Sequence, residues 1–244
     1  MTDTRRKLRF LLLQVRNADD SMRGQEIECF ARALDCGPEQ IGIFDLLSGA
    51  PTVRQLDPVD MVLLGGSGDY SVAEGGTWLS PALEAMRELY DLNKPTFASC
   101  WGFQAMARAL GGNVVTDLGR AELGTVPVQL TPAGREDPIF GHVGPELRTH
   151  MGHQDRVDQL PDNARLLAST DRVRNQAFCV DGKPIYCTQF HPELTLSTFL
   201  ERVVNYPWYV ERIAGVPLEA FVATCEETPE ANALLRRFVT HVFE

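Results

Sequence analysis

The stretch PTFASCWGFQAMARALGG, residues 95–112, changes its hydrophobic period at a single residue. Behind Pro95, Phe97 and Ala98 form a short apolar run. From Phe103 through Met106, Ala107 and Leu110 the apolar positions recur at helical spacing, up to the stop signal Gly111-Gly112. Cys100 stands on the junction. A side chain there leaves the carboxyl end of a strand and faces the unpaired N–H groups of the following helix, whose partial positive charge favours an anion. A thiol so placed becomes a thiolate more easily. The alternative is a small buried hydrophobe, the usual state of a free cysteine, and this stretch alone does not choose.

Upstream, FLLLQV (10–15), IGIFDLL (41–47) and MVLLGG (61–66) are continuous apolar runs, as expected for strands buried on both faces of a parallel sheet. Helical stripes separate them: Ile27, Phe30, Ala31 and Leu34 in one, Leu83, Met86 and Tyr90 in another, the latter opened by Ser80 as a cap and Pro81 at the first helical position. This alternation predicts an α/β, doubly wound, mostly parallel sheet flanked by helices. Such sheets bind ligands at the carboxyl ends of their strands, which is where Cys100 falls.

Downstream, GTVPVQLT (124–131) and NQAFCVDGKPIYCTQF (175–190) read as strands, the second a small antiparallel hairpin around Asp181-Gly182. Three helical stripes follow: Phe199, Leu200, Val203 and Val204; then Leu218, Phe221, Val222 and Cys225; then Leu235, Phe238, Val239 and Val242, opened by Thr228 and Pro229. No internal repeat or low-complexity tract is visible.

With 244 residues, 44% of them hydrophobic, the chain can bury a full core. A net charge of −10, from 23 Lys and Arg against 33 Asp and Glu, argues against a nucleic-acid surface and favours small-molecule or protein partners. The N-terminal basic residues precede an apolar run too short for a signal peptide, and no run is long enough to span a bilayer, so no membrane partner and a cytoplasmic location are expected. Cysteines 29, 36, 100, 179, 187 and 225 show no framework spacing, which suits reduced thiols; Cys29 and Cys225 fall on apolar helical faces.

A cysteine nucleophile needs a base, and the base an orienting group. Of the histidines at 142, 150, 153, 191 and 241, His191 ends a strand, with Pro192 keeping the chain extended and Glu193 able to swing back to the imidazole. Two backbone donors suggest an oxyanion hole: the N–H of Trp101 at the helix head, and the Gly65-Gly66-Ser67-Gly68 loop after MVLL, where absent side chains admit a ligand. That loop also reads as a phosphate cradle. His150 and His153 tempt a metal reading, but with His191 and Glu193 they make no known ligand spacing.

GGSGDYSV, FASCWGFQAMARALGG, HQDRVDQLP and TQFHPE, in that order, resemble the class I glutamine amidotransferase family, and most of all the glutaminase half of GMP synthase and its stand-alone relatives. The resemblance covers residues 8–205 and implies a flavodoxin-like fold. It implies Cys100 as nucleophile, His191 as general base and acid, Glu193 as its partner, Gly66 and Trp101 as oxyanion donors, and Gln104 with the backbone of Gly152, His153 and Gln154 as the glutamyl pocket. It implies no cofactor and no metal. Ala98 replaces the usual glycine at a position that must be small; Ser99 and Phe103 also depart from the pattern without removing a catalytic group.

The expected activity is hydrolysis of the side-chain amide of glutamine through a Cys100 thioester, with ammonia passed to a synthetase partner. The alternatives are a γ-glutamyl peptidase or hydrolase using the same triad, for which Trp101 and Phe103 would offer bulky apolar surface, and a silent binding protein. The expected division is an amidotransferase domain over 1–205 and a helical extension over 206–244 packed on it by its two apolar stripes, the alternative being that the stripes cover a partner, a second copy included.

Overall fold

The protein is described by a computed structural model covering residues 7–244, so Arg5 and Arg6, counted in the N-terminal reading, lie outside the described residues. The strands are β1 (Phe10–Gln14), β2 (Ile41–Asp45), β3 (Met61–Leu64), β4 (Thr96–Ser99), β5 (Asn113–Thr116), β6 (Glu122–Leu130), β7 (Glu146–His153), β8 (Asp155–Gln159), β9 (Ala164–Ser169), β10 (Ala177–Val180) and β11 (Ile185–Thr188). Nine of them form one sheet in the order β2-β1-β3-β4-β11-β10-β9-β6-β7, while β5 and β8 pair separately. The segment β2-β1-β3-β4-β11 is parallel throughout.

Alternate residues of the central strands feed two cores, as a period of two requires. Phe10, Leu12, Met61, Leu63 and Phe97 bury against helices Met22–Leu34 and Leu234–Phe243 on one face. Leu11, Leu13, Val62, Leu64 and Ala98 bury against helices Leu79–Asp91 and Trp101–Ala109 on the other. The chain is therefore α/β with a large sheet flanked by helices. Its antiparallel side is larger than the expected hairpin: β10 and β11 do turn at Asp181-Gly182, with Gly182 at φ +69°, but β9, β6 and β7 continue the antiparallel run.

Three local readings are corrected. β2 is the sheet's edge, with Ile43 47% exposed, so its continuous apolar run does not mean burial on both faces. The helix at residue 79 begins at Leu79 after Trp78, without a side-chain cap from Ser80; Pro81 sits in its first turn, where a missing N–H costs nothing. Cys225 lies beyond the short helix Leu218–Val222.

The last stripe packs on the chain itself. Phe238 is fully buried, its ring edge-on to Phe97 at 5.7 Å and to Tyr186 at 5.6 Å. The Asn232 amide donates to the carbonyls of Pro192 and Leu194 at 2.9 and 2.6 Å, holding the loop after β11. Between the stripes, Pro207–Tyr209 and the wide turn Val210–Ala214 form a helical corner that the apolar spacing did not announce. Among the described residues no helix is long and apolar enough to cross a membrane.

Candidate active site

β3, β4 and β11 are neighbours in the parallel part of the sheet, so the segments leaving their carboxyl ends converge. They deliver the Gly65–Gly68 loop, Cys100 and His191 to one place. The Cys100 N–H donates to the Thr188 carbonyl at 2.7 Å, and its backbone is held at φ +52°, ψ −103°, a strained conformation for a residue with a Cβ. The turn is sharp enough that a Cβ at Gly102 would stand 2.5 Å from the Leu64 Cβ and 3.2 Å from the Ala98 Cβ, which is why residue 98 must be small and why alanine suffices. The Ser99 hydroxyl donates to the Leu64 carbonyl.

Gly66 occupies the junction of all three segments. A Cβ there would lie 2.9 Å from His191 Cε1 and 3.8 Å from Cys100 Cβ, so only glycine admits the imidazole beside the sulfur. His191 Nδ1 hydrogen-bonds Glu193 Oε1 at 2.7 Å. Burial opposes charge on His191, but the Glu193 carboxylate and the Cys100 sulfur outweigh it and raise its pKa to about 9. Burial would raise the Glu193 carboxyl in turn; His191 and Arg202 hold it below the ordinary carboxylate range. Cys100, His191 and Glu193 are thus brought together.

Behind them lies a buried ionic chain. Arg202 contacts Glu193 at 3.5 Å and Glu26 at 3.9 Å; Glu26 contacts Arg16 at 3.4 Å; Arg16 reaches Asp20 at 3.0 Å and donates to the Tyr206 hydroxyl at 2.9 Å. The three cations His191, Arg202 and Arg16 are matched by Glu193, Glu26 and Asp20. Sequence reading missed this chain, although Glu26 on the apolar stripe beside Ile27 and Phe30 was a signal: a carboxylate on a buried helix face needs a partner. It also missed Gln189, whose buried amide lies 3.8 Å from the Cys100 sulfur.

Two cavities meet at Cys100. A polar cleft of about 180 Å³ is lined by Glu74, Trp101, Gln104, His153, Gln154 and Asp155. A mostly apolar cavity of about 50 Å³ holds Gly66 and His191, with walls from Leu123, Leu194, Phe199, Val203 and Tyr206 and with Arg16 and Arg202 also at its edge. Ser67, Cys100, Gly152 and Tyr209 border both.

The expected glutamyl-pocket residues fall in the polar cleft with different capacities. Gln104 spends its amide N–H₂ on the Asp155 carbonyl and on Gln189, at 3.0 and 3.1 Å, and keeps its oxygen. The buried Oε1 of Gln154 has no hydrogen-bond partner among the described residues. The His153 ring is engaged at both nitrogens, by the Asp155 carbonyl and Glu122, so it offers the cleft a wall rather than a donor. His150 is fully buried and stacked on Phe199 at 4.6 Å; burial, then the charge of His191, lower its pKa to about 4. The bulky surface expected of Phe103 is corrected: Phe103 is fully buried against Phe178, away from the sulfur. Trp101 lines the polar cleft, tilted on Trp78.

Residues 39–206 match the family model for class I glutamine amidotransferases. GMP synthase of Streptomyces avermitilis is 34% identical over 160 residues, covering 66% of this chain and 28% of that protein. The Pseudomonas putida enzyme of the same name is 33% identical over 196 residues, covering 75% of this chain and 36% of its own. The chain thus spans about a third of the length of these curated relatives. A solved glutamine amidotransferase from Thermotoga maritima superposes over 97% of this chain and 98% of its own with a TM-score of 0.74 at 22% identity, a likeness of fold. The match over more than half the chain, on a fold built to the same plan, means that the protein is a member of the class I glutamine amidotransferase family.

Proposed function

We propose that the protein hydrolyses the side-chain amide of glutamine to glutamate and ammonia. The observation that carries this reading is the convergence of β3, β4 and β11 on one sulfur, with His191 beside it and Glu193 2.7 Å behind. The Cys100 sulfur attacks the γ-carbonyl carbon as the thiolate, its proton held by His191. The carbonyl oxygen gains negative charge and is met by the backbone N–H groups of Gly66 and Trp101, the oxyanion donors of this reading. As the C–N bond breaks, His191 protonates the nitrogen and ammonia leaves. A water then gives its proton to His191, attacks the thioester carbon, and the C–S bond breaks to release glutamate.

The polar cleft supports the other end of the substrate. The free oxygens of Gln104 and Gln154, with Glu74 and Asp155, are acceptors suited to an α-ammonium group, and the backbone from Gly152 to Gln154 completes the pocket. The GMP synthases similar to this chain motivate a synthetase partner that receives the ammonia. A γ-glutamyl peptidase would use the same residues; a silent binding protein has no use for the charged pair His191–Glu193. Glutamate release from glutamine by purified protein, absent in Cys100→Ala, tests the assignment; equal release from both would refute it.

A further inference from the structure

His191 borders the apolar cavity and not the polar cleft. In acyl transfer the general acid must stand beside the atom that departs, since it supplies that atom's proton. If the glutamyl chain lies in the polar cleft, the departing nitrogen faces His191, and whatever that nitrogen carries projects into the apolar cavity. Leu123, Leu194, Phe199 and Val203 form no hydrogen bond with ammonia but offer contact to an apolar group carried on the departing nitrogen.

The cavity is built mostly by elements beyond β11. Phe199 and Val203 come from helix Leu196–Asn205, and Tyr206 and Tyr209 from the corner that follows. Its volume of about 50 Å³ exceeds the roughly 10–15 Å³ that one water needs, so it has room for a small group on the departing nitrogen. Two arginines also line it: Arg16 is hydrogen-bonded to Glu26, Asp20 and Tyr206, while Arg202 donates from Nε to Gln25 and has its charge offset by Glu193 at 3.5 Å and Glu26 at 3.9 Å, its two terminal nitrogens making no hydrogen bond among the described residues.

Resting on the Cys100–His191–Glu193 reading above, we propose that this cavity is a leaving-group subsite and that the protein cleaves γ-glutamyl amides bearing an apolar alkyl group on nitrogen in preference to glutamine. The chemistry balances as for glutamine. The C–S bond forms, the C–N bond breaks, the His191 proton goes to the departing nitrogen, a neutral alkylamine leaves, and water returns the enzyme and glutamate. The carboxylate of an amino-acid leaving group would be desolvated there beside a guanidinium whose charge Glu193 and Glu26 already offset, so peptides are disfavoured.

The test compares kcat/KM for glutamine, γ-glutamyl-isobutylamide and γ-glutamylvaline on the purified chain, with glutamate release as the readout. The last two differ only by a carboxylate. The expected order is isobutylamide above glutamine by about tenfold or more, equivalent to about 1.4 kcal/mol in the transition state, with γ-glutamylvaline below the isobutylamide. Val203→Phe, which fills the cavity, should bring the ratio of isobutylamide to glutamine down about tenfold; Leu123→Phe, at a half-buried position, serves the same purpose should the first variant misfold. A ratio below one, a ratio untouched by either substitution, or preference for γ-glutamylvaline overturns the subsite while leaving the triad standing. No glutamate from any substrate, together with no labelling of Cys100 by a diazoketone analogue of glutamine, overturns the triad reading and the subsite with it.

Discussion

The Arg202 guanidinium stands 3.5 Å from the Glu193 carboxylate and 3.9 Å from Glu26, all three side chains nearly or fully buried. One cation therefore ties the carboxylate bonded to His191 to helix Met22–Leu34, which packs beside the helix that carries Arg202. Removing one partner of a buried pair leaves the other charged and unpaired, which costs about 3–5 kcal/mol. Arg202→Met is expected to lose stability of that order in urea unfolding and to lower kcat as well, because Glu193 no longer has a fixed position. Unchanged unfolding would show the contact to be idle.

The pH profile follows from the same cluster. His191 carries its proton up to about pH 9. Since that proton is needed by the departing nitrogen, kcat/KM should fall as pH rises through about 9. Glu193→Gln removes the carboxylate that raises His191, while burial still lowers it, so the alkaline limb should move to lower pH. A limb that stays in place in Glu193→Gln would mean another group sets it.

Cys100→Ala should abolish turnover. It keeps a Cβ at φ +52°, whereas Cys100→Gly relieves that strain. Both variants should be inactive, and the glycine variant should melt higher by the equivalent of about 1 kcal/mol, at the low end of the usual strain for such a residue. Differential scanning calorimetry of the two proteins checks this, and a lower melt for the glycine variant would deny that the elbow is strained.

Phe238 packs edge-on to Phe97 and Tyr186 in the sheet's core. Phe238→Ala should cost about 3–5 kcal/mol, and deletion of residues 206–244 should give insoluble protein. Soluble, active truncated protein would assign the stripes to an interface instead.

Cys100 was legible as a candidate because a change of period marks its position: the apolar run ends at Ala98 and the helical spacing begins at Phe103. His191 and Glu193 were legible as candidates because they follow a strand end. The surroundings were not. Arg16, Glu26 and Arg202 are far apart in sequence and become a chain only when β1, the first helix and helix Leu196–Asn205 meet. Tyr206 and Tyr209 sit in a corner with no amphipathic repeat. Phe103 looked like part of the site because it lies three residues from Cys100, but that spacing turns it toward Phe178 inside the core. The antiparallel side was underestimated because β7, ELRTHMGH, is too polar to read as a buried strand.

Placing His191 on one side of the sulfur imposes an order of traffic. In the proposed reaction the departing amine and the water that follows both use the imidazole, so they would occupy the same chamber in turn, the acyl-enzyme waiting while the chamber empties. Anything amine-like that refills it first is acylated in place of water. Incubation with glutamine and added isobutylamine is thus expected to build γ-glutamyl-isobutylamide, detectable by mass spectrometry, at the expense of glutamate, and the absence of that product would mean that water reaches the thioester by a separate door.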